Sequence, residues 1–161
     1  MNDASAARSR LWRSAFRFQY RILALIDPLV RGVWRRSGIG NVVELEVARR
    51  NGRGSRVRLV GILHANGQSY VGHPNGDVGW TRDLEAAGGG TIRYHNGTTW
   101  SFTARRIPAG DERERVIRST GQHPFPGNLV YRLGRRQVRA VGVYFRMTDA
   151  DNASHAPKID P

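Results

Sequence analysis

The sequence contains no cysteine and no long apolar run. Without cysteine the chain forms neither disulfides nor Cys-based zinc or iron–sulfur sites, and it has no thiolate nucleophile. The five histidines show no i, i+4 pairing and no HExxH pattern, so no metal site is predicted. The apolar run at residues 22–26 is far shorter than the roughly 20 residues that cross a bilayer. That run lies among arginines, which is unlike a signal peptide.

Lysine and acidic residues are also scarce, whereas arginine is abundant. Lys158 is the only lysine, and the net charge is +13. Residues 1–40 hold eight arginines against two acids, and residues 41–146 hold seventeen against eight. Such a surface favours an anionic partner, which can be nucleic acid, phospholipid or a phosphorylated small molecule. A solvated surface in a genome rich in Arg codons explains part of the excess, but not its clustering.

The leader, residues 1–40, is predicted to be a basic amphipathic helix. Four of its arginines recur at intervals of three and four residues, and apolar residues recur at similar intervals on another face of the helix. These arginines are Arg10, Arg13, Arg17 and Arg21. Two interpretations remain open: a helix lying on anionic lipid, with Trp, Phe and Leu in the acyl boundary, or a helix packed on the domain or on a partner subunit.

Residues 41–147 are predicted to form the folded domain, and residues 148–161 a disordered tail. From Asn41 the apolar period changes to two, which is typical of a half-buried strand. Asn-Gly pairs at residues 66–67 and 96–97 predict hairpin turns. The pattern predicts six short strands, the last at residues 137–147, with helices at residues 78–87 and 111–119. Many short strands with tight turns favour a mainly β fold with short helices, a small barrel or sandwich.

Residues 73–88 combine a turn, a helix start and a helix stop. Asn75 and Gly76 belong to the turn, Asp77 is the predicted N-cap, and Gly88 ends the helix. Backbone N–H groups of residues 76–79 then form a predicted anion site. The alternative to an anion site is a purely structural connection in which Trp80 fills the core. This is the commoner outcome for such segments.

The order of these elements, with the basic Gly-rich turn at residues 49–56 and the stretch HPNGDVGWTRDL, resembles the deazaflavin-dependent nitroreductase family of actinobacteria. That family belongs to the split β-barrel flavin and deazaflavin oxidoreductases. The resemblance covers about residues 41–147. Residues 51–55 match a motif of the type Thr-Gly-Arg-x-Ser-Gly with the last pair inverted, and Asn75, Gly76 and Trp80 match a second motif. Asp83 stands where the family usually has Asn.

The resemblance implies a split β-barrel of about six strands and an oxidoreductase that uses coenzyme F420. Such an enzyme reduces a quinone, a nitroaromatic or a similar planar acceptor by hydride transfer. Arginine forks beside glycine suit the anionic phosphodiester and polyglutamate tail of that cofactor. The predicted cofactor-binding residues are Arg53, Ser55, Arg56, Arg58, Asn75, Gly76, Asp77 and Trp80. Tyr131 is the predicted catalytic proton donor and Tyr144 the second choice, with structural packing of both as the alternative.

The resemblance also carries alternatives. Some relatives bind haem, flavin mononucleotide (FMN) or fatty acid instead of F420, and His73 or His123 are then the candidate haem ligands. Relatives with a similar leader are often membrane-associated, so a cytoplasmic protein held peripherally on an anionic membrane through residues 1–40 is expected. A homodimer is compatible with the family. A nucleic-acid-binding barrel using Tyr70, Tyr94 and Trp100 ranks last, because the apolar leader suits lipid better than a phosphate backbone.

Overall fold

The structure, a computed structural model, describes residues 32–125 and 127–150. The chain divides into two compact units, residues 1–37 and residues 38–161. In the first unit residues 32–37 are helical, and the remainder of the predicted leader helix lies outside the described residues. The predicted tail lies outside them from residue 151 onward. No helix in the described ranges is long and apolar enough to cross a membrane.

The described part of the second unit contains seven strands and four short α-helices. The strands are β1 (Val42–Ala48), β2 (Ser55–Gly61), β3 (Leu63–Ala65), β4 (Gln68–His73), β5 (Gly89–Arg93), β6 (Thr99–Arg106) and β7 (Val143–Asp149). The helices are α1 (Gly79–Ala87), α2 (Asp111–Ser119), α3 (Gly127–Leu133) and α4 (Arg135–Val141), and a 3₁₀ turn (Thr120–Gln122) follows α2.

All seven strands form one antiparallel sheet in the order β2-β1-β5-β6-β7-β4-β3. Strands β2 and β3 follow each other in the chain with only Ile62 between them, yet they lie at opposite edges of the sheet. The sheet is therefore curled into a half-barrel. This confirms the predicted mainly β split barrel, with seven strands because the predicted second strand divides at Ile62.

The inner face of the curled sheet holds the larger core. Alternate residues of β1 point inward, as the period of two predicts. Helix α1 contributes Trp80 and Leu84 to the same cluster. The strand residues of this inner core are Val43, Leu45, Val47, Ile62, Val71, Ile92, Phe102, Val143, Phe145 and Met147. The barrel interior is thus filled by side chains, and α1 is anchored against it.

The outer face carries a second core under α2 and α4. Tyr70 and Tyr144 lie on this face because their neighbours Val71 and Phe145 face inward. The remaining members are Leu63, Ile107, Val116, Ile117 and Val138. Each of β4 and β7 is therefore covered on both faces.

The predicted strand at residues 137–147 is wrong in its first half. Residues 135–141 form α4, and Val138 packs into the outer core. Val138 and Val141 are three residues apart, which is a helical spacing. They also belong to the apolar run from which the strand was predicted. Gly142 ends the helix by donating its backbone N–H to the Val138 carbonyl at 2.8 Å. Strand β7 then continues to Asp149, two residues into the predicted tail.

The predicted Asn-Gly hairpin turns are confirmed. Asn66 and Gly67 connect β3 and β4 with φ angles of 50° and 72°, the left-handed pair that a type I′ turn requires. At the β5–β6 turn only Gly97 has a positive φ, of 86°. Helix α2 begins at Asp111, as predicted, and the carbonyl of its N-cap Gly110 accepts the backbone N–H of Glu114 at 3.1 Å.

Candidate cofactor-binding site

The β1–β2 hairpin ends in the basic Gly-rich turn. Gly52 and Gly54 have φ angles of 70° and 71°, and Gly52 donates its N–H to the Arg49 carbonyl at 2.9 Å. The Arg53 backbone N–H is held by the Asn51 side chain at 3.1 Å, which leaves the Arg53 side chain exposed. No hydrogen bond or ion pair joins the Arg53 guanidinium to a described residue.

Asp83 of α1 ties this hairpin to the helix. Its carboxylate accepts from Arg56 Nε at 2.7 Å and from the Arg50 backbone N–H at 3.5 Å. Only 3% of its side chain is exposed, whereas 28% of Arg56 is. Burial raises the pKa of Asp83, but the hydrogen bond from Arg56 and the charges of Arg56 and Arg50 outweigh it and hold that pKa below its usual value. Asp83 is therefore a buried carboxylate.

The N-terminus of α1 lies directly under Arg56. A Cβ on Gly79 would be 3.3 Å from the Arg56 guanidinium, so glycine leaves room for this contact. The predicted N-cap, Asp77, is wrong: the helix begins at Gly79 after Val78. Thr81 completes the cap, since its hydroxyl oxygen accepts the Val78 N–H at 2.8 Å. One amide of the predicted anion site thus has an acceptor within the chain.

Asp77 faces the outside of α1 and pairs with Arg106 of β6. Arg106 bridges two carboxylates, with Nη2 at 3.0 Å from Asp77 Oδ2 and Nη1 at 2.9 Å from Glu85 Oε2. Gly76 adopts a φ of 81° in the turn before them. The Asn75 N–H donates to Nδ1 of His73 at 3.3 Å. The turn residues are therefore held by the chain itself.

Trp80 and His73 pack together below this turn. Their rings meet edge to face with centroids 6.3 Å apart, and both side chains are buried. Burial lowers the pKa of His73 to about 4, against a weaker opposing effect of a hydrogen bond with the Gly76 backbone. Trp80 belongs to the inner core, as the structural alternative for this residue expected.

Arg56 and Arg58 share the inner face at the open edge of the sheet. In the β1–β2 register they stand opposite Val47 and Leu45, whose side chains point into the barrel. Arg58 is exposed there, and its Nη1 donates to the Val57 carbonyl at 3.1 Å. Ser55 alternates to the opposite face and donates to Glu46 Oε1 at 2.6 Å. The structure therefore places Arg56 against α1 and Arg58 on the same face of β2, and directs Ser55 to the opposite face.

Tyr131 lies on α3, away from the hairpin. Its ring stacks on His123 with centroids 4.6 Å apart, and His123 packs so closely on Gly61 that a Cβ there would collide with the imidazole. Gly61 is five residues along β2 from Arg56, which corresponds to about 17 Å of strand. Burial lowers the pKa of His123 to about 4. The predicted proton donor thus lies toward the other end of β2.

Tyr144 is fully buried in the outer core. Its hydroxyl has no hydrogen-bond partner among the described residues. Burial raises its pKa, with a smaller opposing effect of Arg113. A substrate has no access to this group in the structure. Across the described ranges no group of three or more His, Asp or Glu side chains is placed to hold a metal ion.

A cleft beside α3 was not predicted from the sequence. It has a volume of about 340 Å³ and is lined by Thr120, Gly121, Phe125, Asn128, Leu129, Arg132 and Arg135. The side chains of Phe125 and Leu129 are exposed on its wall. The sequence signal was available: Phe125, Leu129 and Leu133 recur every four residues, and no acidic residue occurs in residues 115–148.

The curled seven-stranded antiparallel sheet, filled on its inner face and edged by β2 and β3, defines a split β-barrel protein. No protein-family model matches the chain, and no curated protein matches it. Among solved structures it is similar to HutZ, the heme storage protein from Vibrio cholerae, at 14% identity and a TM-score of 0.52, over 77% of this chain and 89% of HutZ. It is also similar to the conserved hypothetical protein Rv2991 from Mycobacterium tuberculosis, at 9% identity and a TM-score of 0.51, over 75% and 84% of the two chains. These similarities establish the fold.

Proposed function

We propose that this protein is a deazaflavin-dependent oxidoreductase that uses coenzyme F420 to reduce a quinone, a nitroaromatic or a similar planar acceptor. The observation that carries the proposal is the convergence of the basic hairpin on the N-terminus of α1, through Arg56 above Gly79 and Asp83. Had these segments lain on opposite sides of the domain, the predicted site would have had no physical basis.

Two kinds of arginine support this proposal. Arg56 is neutralised by Asp83, so it fixes the hairpin against α1 and contributes little net charge for a ligand. Arg53 and Arg58 have exposed side chains and can offer bidentate donors to phosphate or carboxylate groups. The residues that fit the anionic tail are thus Arg53 and Arg58, and Gly52 and Gly54 allow close approach of the backbone.

The cofactor supplies hydride when it is bound, and the chain supplies position and electrostatics. Trp80 closes the barrel interior beneath the turn, which excludes water from that side. The proposal keeps Tyr131 as the donor of a proton to the reduced acceptor, which requires the anionic tail to lie at the hairpin and the acceptor to lie toward the α3 end of β2. Its stacking on neutral His123 holds the phenol ring in one orientation.

A fluorescence titration of the full chain with reduced F420 and, separately, with FMN tests the proposal. We expect F420 to quench the fluorescence of the chain in a saturable way. Binding of F420 should be about tenfold weaker for Arg58→Ala and for Arg53→Ala, since a charge-assisted hydrogen bond contributes about 1.5 kcal/mol. Arg118→Ala, which removes an exposed arginine of α2, is the matched control. Absence of quenching by saturating F420 refutes the F420 assignment, and quenching by FMN alone reassigns the cofactor.

A second candidate is a split-barrel relative without redox activity that binds haem, flavin or fatty acid. Asp83 favours it, because a buried carboxylate beside Arg56 weakens the positive field available to an anionic tail. HutZ, which shares the fold, is described as a heme storage protein. His73 is buried and His123 half-buried, and both are neutral at pH 7, the form that ligates a metal.

Absorption spectra of the purified chain titrated with haemin distinguish the two candidates. A Soret band that is lost in His123→Ala or His73→Ala, and retained in the exposed control His64→Ala, supports haem binding. Mass spectrometry of the protein as purified detects a retained fatty acid. A spectrum of free haemin at every ratio, together with no bound lipid, leaves only the oxidoreductase proposal.

The proposal also includes a location. We place the protein in the cytoplasm, held on an anionic membrane surface through the leader, residues 1–40, and able to form a homodimer. Partition onto anionic vesicles of the full chain and of a chain lacking residues 1–36 tests the leader. Equal binding of the two chains would refute this role.

A further inference from the structure

We propose that the α3 patch, formed by Phe125, Leu129, Leu133, Arg132, Arg135 and Arg136, docks on an anionic lipid bilayer independently of the leader. Phe125 is 78% exposed, Leu133 73% and Leu129 44%. Large apolar side chains exposed to this degree on adjacent turns form a continuous apolar surface, which marks an interaction site. The inference does not depend on the proposed cofactor.

Leu129 and Leu133 share one face of α3, and Phe125 lies beside Leu129 at the cleft. Leu129 and Leu133 are four residues apart on α3, which places their side chains one above the other. Phe125 precedes them by the same interval. Leu129 and Phe125 also line the cleft beside α3. The patch thus has a ridge and an adjoining hollow, a shape that can be embedded at the boundary of headgroups and acyl chains.

The arginines of the α3 patch favour a lipid surface that carries anionic headgroups. Arg132, Arg135 and Arg136 are exposed, and none has an ion pair with a residue that the structure describes. The next arginine of α4, Arg139, is instead paired with Glu114 at 2.9 Å. Unpaired arginines at the rim of an apolar patch are attracted to phosphate headgroups, and each contributes about a fivefold gain in partition.

Other occupants fit this patch less well. A second copy placed symmetrically would bring the same three arginines together without a carboxylate to pair them, because residues 115–148 contain no acid. Nucleic acid would engage the arginines but leave Phe125 and Leu133 in water. A bilayer with anionic lipids satisfies both groups of side chains at once.

Cysteine labelling gives a direct test, because the chain contains no other cysteine. The full-length variant Leu133→Cys carries an environment-sensitive fluorophore on the patch. The matched control, Ala86→Cys, places the same label at an exposed position of α1. Both residues are exposed, so the fold is retained, and circular dichroism verifies it. Vesicles contain equal parts of phosphatidylglycerol and phosphatidylcholine.

We expect the label at position 133 to shift to the blue and to be quenched by lipids carrying a spin label in the acyl chain, while the label at position 86 stays unchanged. Arg132→Gln combined with Arg135→Gln should lower vesicle partition about 25-fold, at fivefold for each arginine. The proposal is overturned if the chain binds vesicles without a response at position 133, since the leader alone would then hold it. It is also overturned by equal binding to pure phosphatidylcholine, or by a blue-shifted label in a dimer without vesicles.

Discussion

Two arginine-rich regions of this domain use the same side chain in opposite ways. Around the β1–β2 hairpin and α1, arginines meet carboxylates: Arg56 pairs with Asp83, and Arg106 bridges Asp77 and Glu85. On α3 and at the start of α4, arginines face solvent and have no acid nearby in the sequence. The paired arginines of the first region therefore stabilise its structure, whereas the second region is left positively charged toward an external partner.

The apolar residues of the two regions follow the same division. Trp80 and Leu84 of α1 are buried in the inner core, whereas Phe125 and Leu133 at α3 are exposed. Removing a paired arginine should thus cost stability at the hairpin and α1, whereas removing an exposed arginine of α3 or α4 should cost binding. The following predictions test this contrast.

Arg56→Ala should destabilise the domain most, by about 3 kcal/mol, because it leaves the buried Asp83 carboxylate without its main partner. The pH dependence should also change sign. In the wild type the pKa of Asp83 lies below the unfolded value of 3.8, so its contribution is present above that pH and is lost as pH falls through the folded pKa. In the variant burial raises the pKa of Asp83, so acidification from pH 7 should restore part of the loss.

Urea unfolding at several pH values between 7 and 4 measures both effects. Arg53→Ala is the control, because the Arg53 guanidinium has no partner among the described residues. A loss of stability in Arg56→Ala no larger than that of Arg53→Ala would show that the Asp83 pair does not hold the hairpin to α1.

Most of the backbone structure of the hairpin region could be predicted from the sequence, whereas its ion pairs could not. The alternating pattern of β1, the glycine-rich turn and the stop at Gly88 each have a local signature, and the structure confirms all three. The pairing of Arg56 with Asp83 joins residues 27 positions apart. Such a contact depends on how α1 packs into the barrel, which no local pattern specifies.

His73, which is buried, and His123, which is half-buried, should each make the domain acid-sensitive. His73 and His123 have pKa values of about 4 in the fold, against 6.5 in the unfolded chain, so the unfolded state binds more protons between these values. Stability is therefore fully present above about pH 6.5 and falls as pH drops toward 4. The expected loss at pH 5 is about 2 kcal/mol for each histidine.

Difference measurements separate the two regions. His123→Phe keeps a ring to stack on Tyr131 and should remove the contribution of the α3 region to the change in unfolding free energy between pH 7 and pH 5. His73→Phe should remove that of the hairpin region. The exposed His64→Phe should change neither. Identical pH dependence in the wild type and in His123→Phe would show that this imidazole is not buried in its neutral form.

The start of the last strand was wrongly predicted because the local pattern of residues 137–141 is ambiguous. The spacing of Val138 and Val141 fits a helix, whereas the apolar run to which they belong also fits a strand. Packing of Val138 into the outer core stabilises the helix. Helix α4 therefore lies between Tyr131 and β7, which begins at Val143 and not at residue 137. The sequence shows the regular spacing of Phe125 and Leu133. Their exposure depends on how the rest of the domain packs, so it could not be predicted from that spacing.

Thr81→Val should cost about 1 kcal/mol, because it removes the hydroxyl that accepts the Val78 N–H at the start of α1. Thr81 is fully buried, so no water replaces that acceptor. Thr99→Val, at an exposed position of β6, is the control for the change of side chain. Unfolding free energies compare the two variants, and an equal effect would mean that the hydroxyl does not cap α1.

Arg132→Gln combined with Arg135→Gln should have the smallest effect on stability, within about 0.5 kcal/mol, since exposed side chains without partners contribute little to folding. Arg106→Gln is the matched comparison at the other region, where two carboxylates lose their cation and the expected cost is about 1 kcal/mol. Urea unfolding measures both, and salt dependence provides a second measure: the cost of Arg106→Gln should shrink as screening increases. If the α3 variant were instead the more destabilised of the two, its arginines would be structural, and the contrast between a fixed and a free set of charges would fail.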